Sequence, residues 1–139
     1  MKLIKDKTGE FSKIFAKHKV VFAYLFGSQA TGKAIKNSDI DIAIMLSKDI
    51  DAKKRFDIRC KIISELSKIF KKETEVVILN DTKSILFKFV IIKEGKLIYA
   101  KDHGEKLEFE LKTMNDYYDF APFIEKYNEA YLKRELNRN

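Results

Sequence analysis

The stretch from Val20 to Leu46 restricts the fold more than any other part of the chain. Val20–Phe26 (Val-Val-Phe-Ala-Tyr-Leu-Phe) is a continuous apolar run rich in β-branched and aromatic residues, the pattern of a strand covered on both faces. Gly27-Ser28 closes it. Ten residues later, Asp39-Ile-Asp-Ile-Ala-Ile-Met-Leu opens a second such run with two acids. So short a link makes the two strands neighbours in one sheet. Ser28–Lys36 has room for one short helix and a loop, and Asn37-Ser38 is turn chemistry. Strand side chains alternate, so Asp39 and Asp41 share a face, about 6.6 Å apart.

The rest of the chain supplies helices and two more strands. Lys2–Lys17 reads as an amphipathic helix with Leu3, Phe11, Ile14 and Phe15 as its apolar points, closed by His18. Ala52–Phe70 has a clear helical period through Phe56, Arg59/Cys60, Ile62/Ile63, Leu66 and Ile69/Phe70, which makes Cys60 a core thiol. Glu75–Asn80 is a third strand. Asn80 or Asp81 then caps a helix to about Lys93, with Gly95 as its C′ residue and Lys96–Ala100 as a short edge strand. The tail reads as two helices, one with the stripe Leu107, Leu111, Met114 and Tyr118. The other starts near Pro122 and carries Phe123, Ile124, Tyr127, Ala130 and Tyr131. The expected organisation is a core over 1–100 and a helical extension over 101–139, in a fold that mixes α and β.

Length and composition remove several classes. With 139 residues, 45% of them hydrophobic and 35% charged, the chain is globular and long enough for one self-standing core. Met1–Lys7 is charged, and the apolar runs are too short to span a bilayer. One cysteine supplies neither a disulfide framework nor a zinc-thiolate cluster, and a cytoplasmic location is expected. Residues 1–100 carry 21 Lys/Arg against 12 Asp/Glu, whereas 101–139 carry 7 against 9. A basic body attracts polyanions, but solvated lysines explain it equally well. No stacking-plus-basic motif supports direct nucleic-acid binding.

The chemistry-bearing residues fall within and just beyond the opening stretch. Carboxylates placed as Asp39 and Asp41 are can share two Mg²⁺ ions about 3.5–4 Å apart. Taken alone, they read first as solvated residues at a strand entrance. Gly27 has no Cβ and so admits a phosphate close to its backbone. Ser28 adds a hydroxyl and an N–H. Glu75 opens the third strand as Asp39 opens the second, and is the candidate third acid, to complete a metal site or take a proton. Asp81 is the second candidate, although capping explains it. Lys33 and Lys36 lie in the link and read as solvated lysines.

The spacing Gly27-Ser28, ten residues, Asp39-x-Asp41, then an acid on a later strand, resembles the polymerase-β-like nucleotidyltransferases. The wording Phe26-Gly-Ser-Gln-Ala-Thr-Gly and Asn37-Ser-Asp-Ile-Asp-Ile-Ala-Ile resembles the minimal nucleotidyltransferase (MNT) group in particular. So does Glu75-Val-Val-Ile-Leu-Asn with the helix that ends at Gly95-Lys-Leu-Ile-Tyr. This resemblance, over about residues 10–100, implies an α/β (α+β) fold: a small mixed sheet flanked by helices, with a C-terminal helical tail. It implies ATP with Mg²⁺, Asp39, Asp41 and Glu75 as catalytic and metal-holding residues, and Gly27 and Ser28 as the nucleotide cradle. It also implies an antitoxin that attaches AMP to a tyrosine of a HEPN-type ribonuclease toxin. Two alternatives stay open: neutralisation by complex formation alone, and transfer to a small-molecule acceptor. Thr31 stands where the family commonly has Arg, and Glu75 where Asp is commoner.

Overall fold

The computed structural model describes residues 2–32 and 39–136, with the side chains of residues 4–32, 39–122 and 126. Helices α1 (Lys2–Asp6) and α2 (Thr8–Lys17) lead into strand β1 (Val20–Phe26), the short helix α3 (Ser28–Thr31) and β2 (Ile40–Leu46). Helix α4 (Ala52–Phe70), β3 (Thr74–Ile78), a 3₁₀ turn (Leu79–Asp81), α5 (Ile85–Glu94), β4 (Lys96–Ala100) and α6 (His103–Leu136) complete the order.

The strands form one mixed sheet in the order β3-β2-β1-β4. The short link makes β1 and β2 antiparallel, and β4 is antiparallel to β1 on its other side. The crossover through α4 brings β3 back parallel to β2, as a helical connection of this length requires. The expected mixed α/β architecture with a C-terminal helix is therefore present.

Each face of the sheet has its own core. On one, Leu25, Ile40, Ile42, Ile44 and Val76 pack against Phe11 and Phe15 of α2 and Ile62, Leu66 and Phe70 of α4. On the other, Phe22, Tyr24, Ala43, Met45 and Val77 meet Phe87 and Ile91 of α5 and Phe109 of α6. Strand alternation puts Asp41 and Glu75 on this second face. Helices α5 and α6 pack over β1, while Asp39 and Glu75 are exposed and Asp41 is half-buried.

Local chemistry explains most element ends. The Asp51 carboxylate accepts from the Lys54 N–H at 2.9 Å and caps α4, whose bounds match the helical period. The single N-terminal helix expected over Lys2–Lys17 is broken at Lys7. The Thr8 hydroxyl there donates back to the carbonyls of Ile4 and Lys5. Ser84, not Asn80 or Asp81, caps α5, its hydroxyl accepting from the Phe87 N–H at 3.1 Å. Asn80 is committed elsewhere: its side chain accepts from the Leu46 N–H (2.8 Å) and donates to the Leu46 carbonyl (3.0 Å). It therefore extends the β2–β3 pairing past the end of β3, which shortens the strand expected to run to residue 80. Gly95 does not take the left-handed conformation of a C′ residue. Its φ is −73°, and a Cβ there would sit 2.3 Å from the Ile91 carbonyl oxygen.

Expectations for α4 and for the tail are corrected. Cys60 is exposed, because it lies about 100° round α4 from Arg59 and falls off the buried stripe of Ile62, Leu66 and Phe70. Phe56 is 63% exposed. The tail is one helix across Pro122. The proline removes the N–H that would serve the Tyr118 carbonyl, but Tyr118 is exposed and water can take its place. In the expected stripe Leu107, Leu111 and Tyr118 are each more than half exposed, whereas Met114 is half-buried. Helix α6 is turned instead by Phe109 against Phe22, by the Tyr24 hydroxyl donating to Glu110, and by Tyr117 stacked on Phe89 at 3.7 Å. The Asn37-Ser38 turn, Lys33 and Lys36, and the side chains of Phe123, Ile124, Tyr127, Ala130 and Tyr131 lie outside the described residues.

Candidate active site

The site is built at the end of the sheet where β1 finishes and β2 and β3 begin. Gly27 follows β1 with φ +75° and ψ −155°, a combination essentially confined to glycine. That turn brings the backbone hard against the second strand. A Cβ on Gly27 would lie 2.5 Å from Asp41 Oδ2. The Gly27 carbonyl then accepts from the N–H groups of Ala30 and Thr31 at 3.1 and 3.2 Å, which forms the single turn of α3. The Thr31 hydroxyl points back to the carbonyls of Gly27 and Ser28 (3.3 and 3.5 Å), so it stabilises its own turn.

Asp41 is the centre of the arrangement. In the strand registers it pairs with Phe26 on one side and Glu75 on the other. Gly27 and Glu75 therefore flank it, and Asp39 precedes it at the mouth of β2. Burial raises the Asp41 carboxyl above its ordinary range, and the charges of Asp39 and Glu75 add to that rise. A carboxylate whose ionisation is made costly by burial and by two neighbouring acids is a locus that a cation relieves. Oxygen-only donors of this kind suit a hard divalent ion such as Mg²⁺. The close approach at Gly27, which any side chain would fill, leaves open backbone beside them. Asp39, Asp41 and Glu75 thus fit a magnesium–nucleotide ligand in donor chemistry. Among the described residues, however, no three acidic, histidine or cysteine side chains are already gathered round one ion position.

Glu75 is engaged by a residue whose importance the sequence pattern did not reveal. Arg59 of α4 donates through Nη2 to Glu75 Oε1 at 2.6 Å and through Nε to the Val76 carbonyl at 2.7 Å. The available signal was an arginine within an otherwise apolar helical stripe. Asp81, the second candidate, is not brought to the cluster. It lies past the far end of β3, where Arg55 Nη2 approaches its Oδ1 to 2.6 Å and Arg55 Nε donates to both oxygens at 3.1 Å. A cleft of about 400 Å³ lined by Lys19, Ser47, Asp49 and Lys101 is at the opposite end of the sheet and takes no part.

Comparisons with known proteins bear on the fold and the family. Residues 10–104 match the family model described as polymerase beta, nucleotidyltransferase. The protein adenylyltransferase MntA of Shewanella oneidensis is 30% identical over 99 residues, covering 71% of this chain and 67% of that protein. The fold superposes on a toxin–antitoxin structure with AMP-PNP at a TM-score of 0.73, with 22% identity over 90% of this chain and 98% of the other. It also superposes on the structure of a tri-AMPylated Shewanella oneidensis HEPN toxin in complex with MNT antitoxin. The TM-score there is 0.69, with 19% identity over 93% of this chain and 98% of the matched one. No helix among the described residues is long and apolar enough to cross a membrane.

Proposed function

Because the chain belongs to the polymerase β-type nucleotidyltransferase family, in its minimal antitoxin branch, we propose that it transfers AMP from ATP to a tyrosine of a cognate HEPN-type toxin and so neutralises it. The observation that carries this reading is the position of Asp41, held between the backbone of Gly27 and the strand position of Glu75. In the proposed reaction, the phenolic oxygen of the toxin tyrosine forms a bond to the α-phosphorus of ATP. The bond from that phosphorus to the bridging oxygen breaks, and pyrophosphate leaves. The phenolic proton passes to a carboxylate oxygen of the cluster. Asp39, Asp41 and Glu75 are the residues to hold Mg²⁺, which supplies charge neutralisation to the triphosphate when bound. Gly27 and Ser28 admit and position the phosphates. Asp39 and Glu75 are exposed, so an acceptor can reach them from solvent, and the cytoplasm is where ATP and such a toxin would meet.

The test is AMP transfer from labelled ATP with Mg²⁺ and the cognate toxin. Wild type should label a tyrosine of the toxin, and Asp39→Ala/Asp41→Ala should not. Equal labelling by the double variant would overturn the catalytic reading. Labelling of a small hydroxylated acceptor without a protein partner would move the substrate class. A second reading, neutralisation by contact alone, is favoured by the outward apolar stripe of Leu107, Leu111 and Tyr118 on α6. Neutralisation by the double variant as complete as that by wild type would select it.

A further inference from the structure

Arg59 connects the two faces of the sheet. It starts from α4, which covers the face of Ile42 and Val76, and reaches over the outer edge of β3. Its Nε takes the Val76 carbonyl on the way, and its Nη2 meets Glu75, which belongs to the opposite face. Strand β3 ends the sheet, with β2 on its inner side only. The guanidinium therefore draws the Glu75 carboxylate outward, on the side away from Asp41.

The geometry points to Arg59 as a positioning residue: it holds Glu75 out of the acidic cluster in the cation-free protein and yields it when a divalent cation settles on Asp39 and Asp41. This rests on the reading of Glu75 as the third carboxylate of the site. Two features make the exchange feasible. The Glu75 side chain is 59% exposed, so the ion pair is solvated and weak. The Val76 carbonyl keeps the guanidinium anchored at the strand edge after Glu75 leaves, so Arg59 does not lose all its partners. The cluster thereby avoids a third bare carboxylate beside Asp41 until there is a cation to offset it.

The test is Mn²⁺ binding to the nucleotide-free full chain, followed by the electron paramagnetic resonance signal of free Mn²⁺. Arg59→Met should bind Mn²⁺ about two- to five-fold more tightly than wild type, the scale of an exposed pair. Glu75→Gln should bind it more weakly, and adding Arg59→Met in that background should restore little. Arg59→Lys keeps the charge, but its single ammonium cannot grip both Val76 and Glu75. It should lie between wild type and Arg59→Met, and it serves as the readout should Arg59→Met fail to fold. Unchanged or weaker binding by the Arg59 variants, or an equal gain in both backgrounds, overturns the inference. Unchanged binding by Glu75→Gln instead removes Glu75 from the site, and the role of Arg59 falls with it.

Discussion

Replacing Gly27 with alanine tests the contact on which the site is built, and its cost can be divided into two parts. The backbone at φ +75° penalises an L side chain by about 1–2 kcal/mol. The new Cβ would also stand 2.5 Å from Asp41 Oδ2, so Asp41 must leave its rotamer, at about 0.5–1.5 kcal/mol. Together they predict a loss of about 2–3 kcal/mol, or roughly 6–12 °C in Tm. Urea unfolding of four proteins separates the parts: wild type, Gly27→Ala, Asp41→Ala and the double variant. In the Asp41→Ala background the offending oxygen is gone, so Gly27→Ala should cost only the backbone part. Equal costs in both backgrounds would refute the close approach. In AMP transfer, Gly27→Ala should lower the rate about a hundredfold, the scale set by displacing a reactive group by about 1 Å.

Other expectations follow from the same contacts. Asp41 has its carboxyl pushed above the ordinary value of 3.8, so in the cation-free protein a cost to folding builds as pH rises past 3.8 and is complete above that raised value. Asp41→Asn should therefore melt higher than wild type at pH 7, and the gap should close as pH falls below about 3.8; a gap constant over this range would contradict it. Asn80→Ala removes both partners of the Leu46 backbone and should cost about 1–3 kcal/mol in urea unfolding, whereas Asn80→Asp, lacking the donor, should recover only part of that. Leu111→Glu on the outward stripe should change unfolding by less than about 0.5 kcal/mol yet weaken toxin binding by at least about tenfold in calorimetry; unchanged binding would place the docking surface elsewhere.

Local pattern was enough where it involved a strong period or a backbone requirement. The apolar runs of β1 and β2, the period of α4, and the pairing of Gly27-Ser28 with Asp39-x-Asp41 were all legible, because strand alternation and helical repeat act within a few residues. The neighbouring of β1 and β2 followed from the short link, whereas the mixed sheet was expected only from the resemblance to the polymerase-β-like nucleotidyltransferases. Less was legible where a side chain had several local uses. Asn80 and Asp81 both read as caps. Only the folded chain shows Asn80 bridging Leu46 and Asp81 held by Arg55, each across more than twenty residues of sequence.

Residues 20–46 by themselves determined the two central strands, the turn at Gly27 and the Asp39-x-Asp41 spacing, because these depend on chirality, alternation and the missing Cβ of Gly27. Tertiary structure decided what that pair meets. The strand register set Glu75 beside Asp41, and the free edge of β3 let Arg59 reach round and take hold of it. Phe22 and Tyr24 fixed the rotation of α6, so the stripe of Leu107, Leu111 and Tyr118 turned to solvent although its spacing suits a buried face. Helical periodicity specifies which residues share a face; which way that face points depends on contacts made by the rest of the chain.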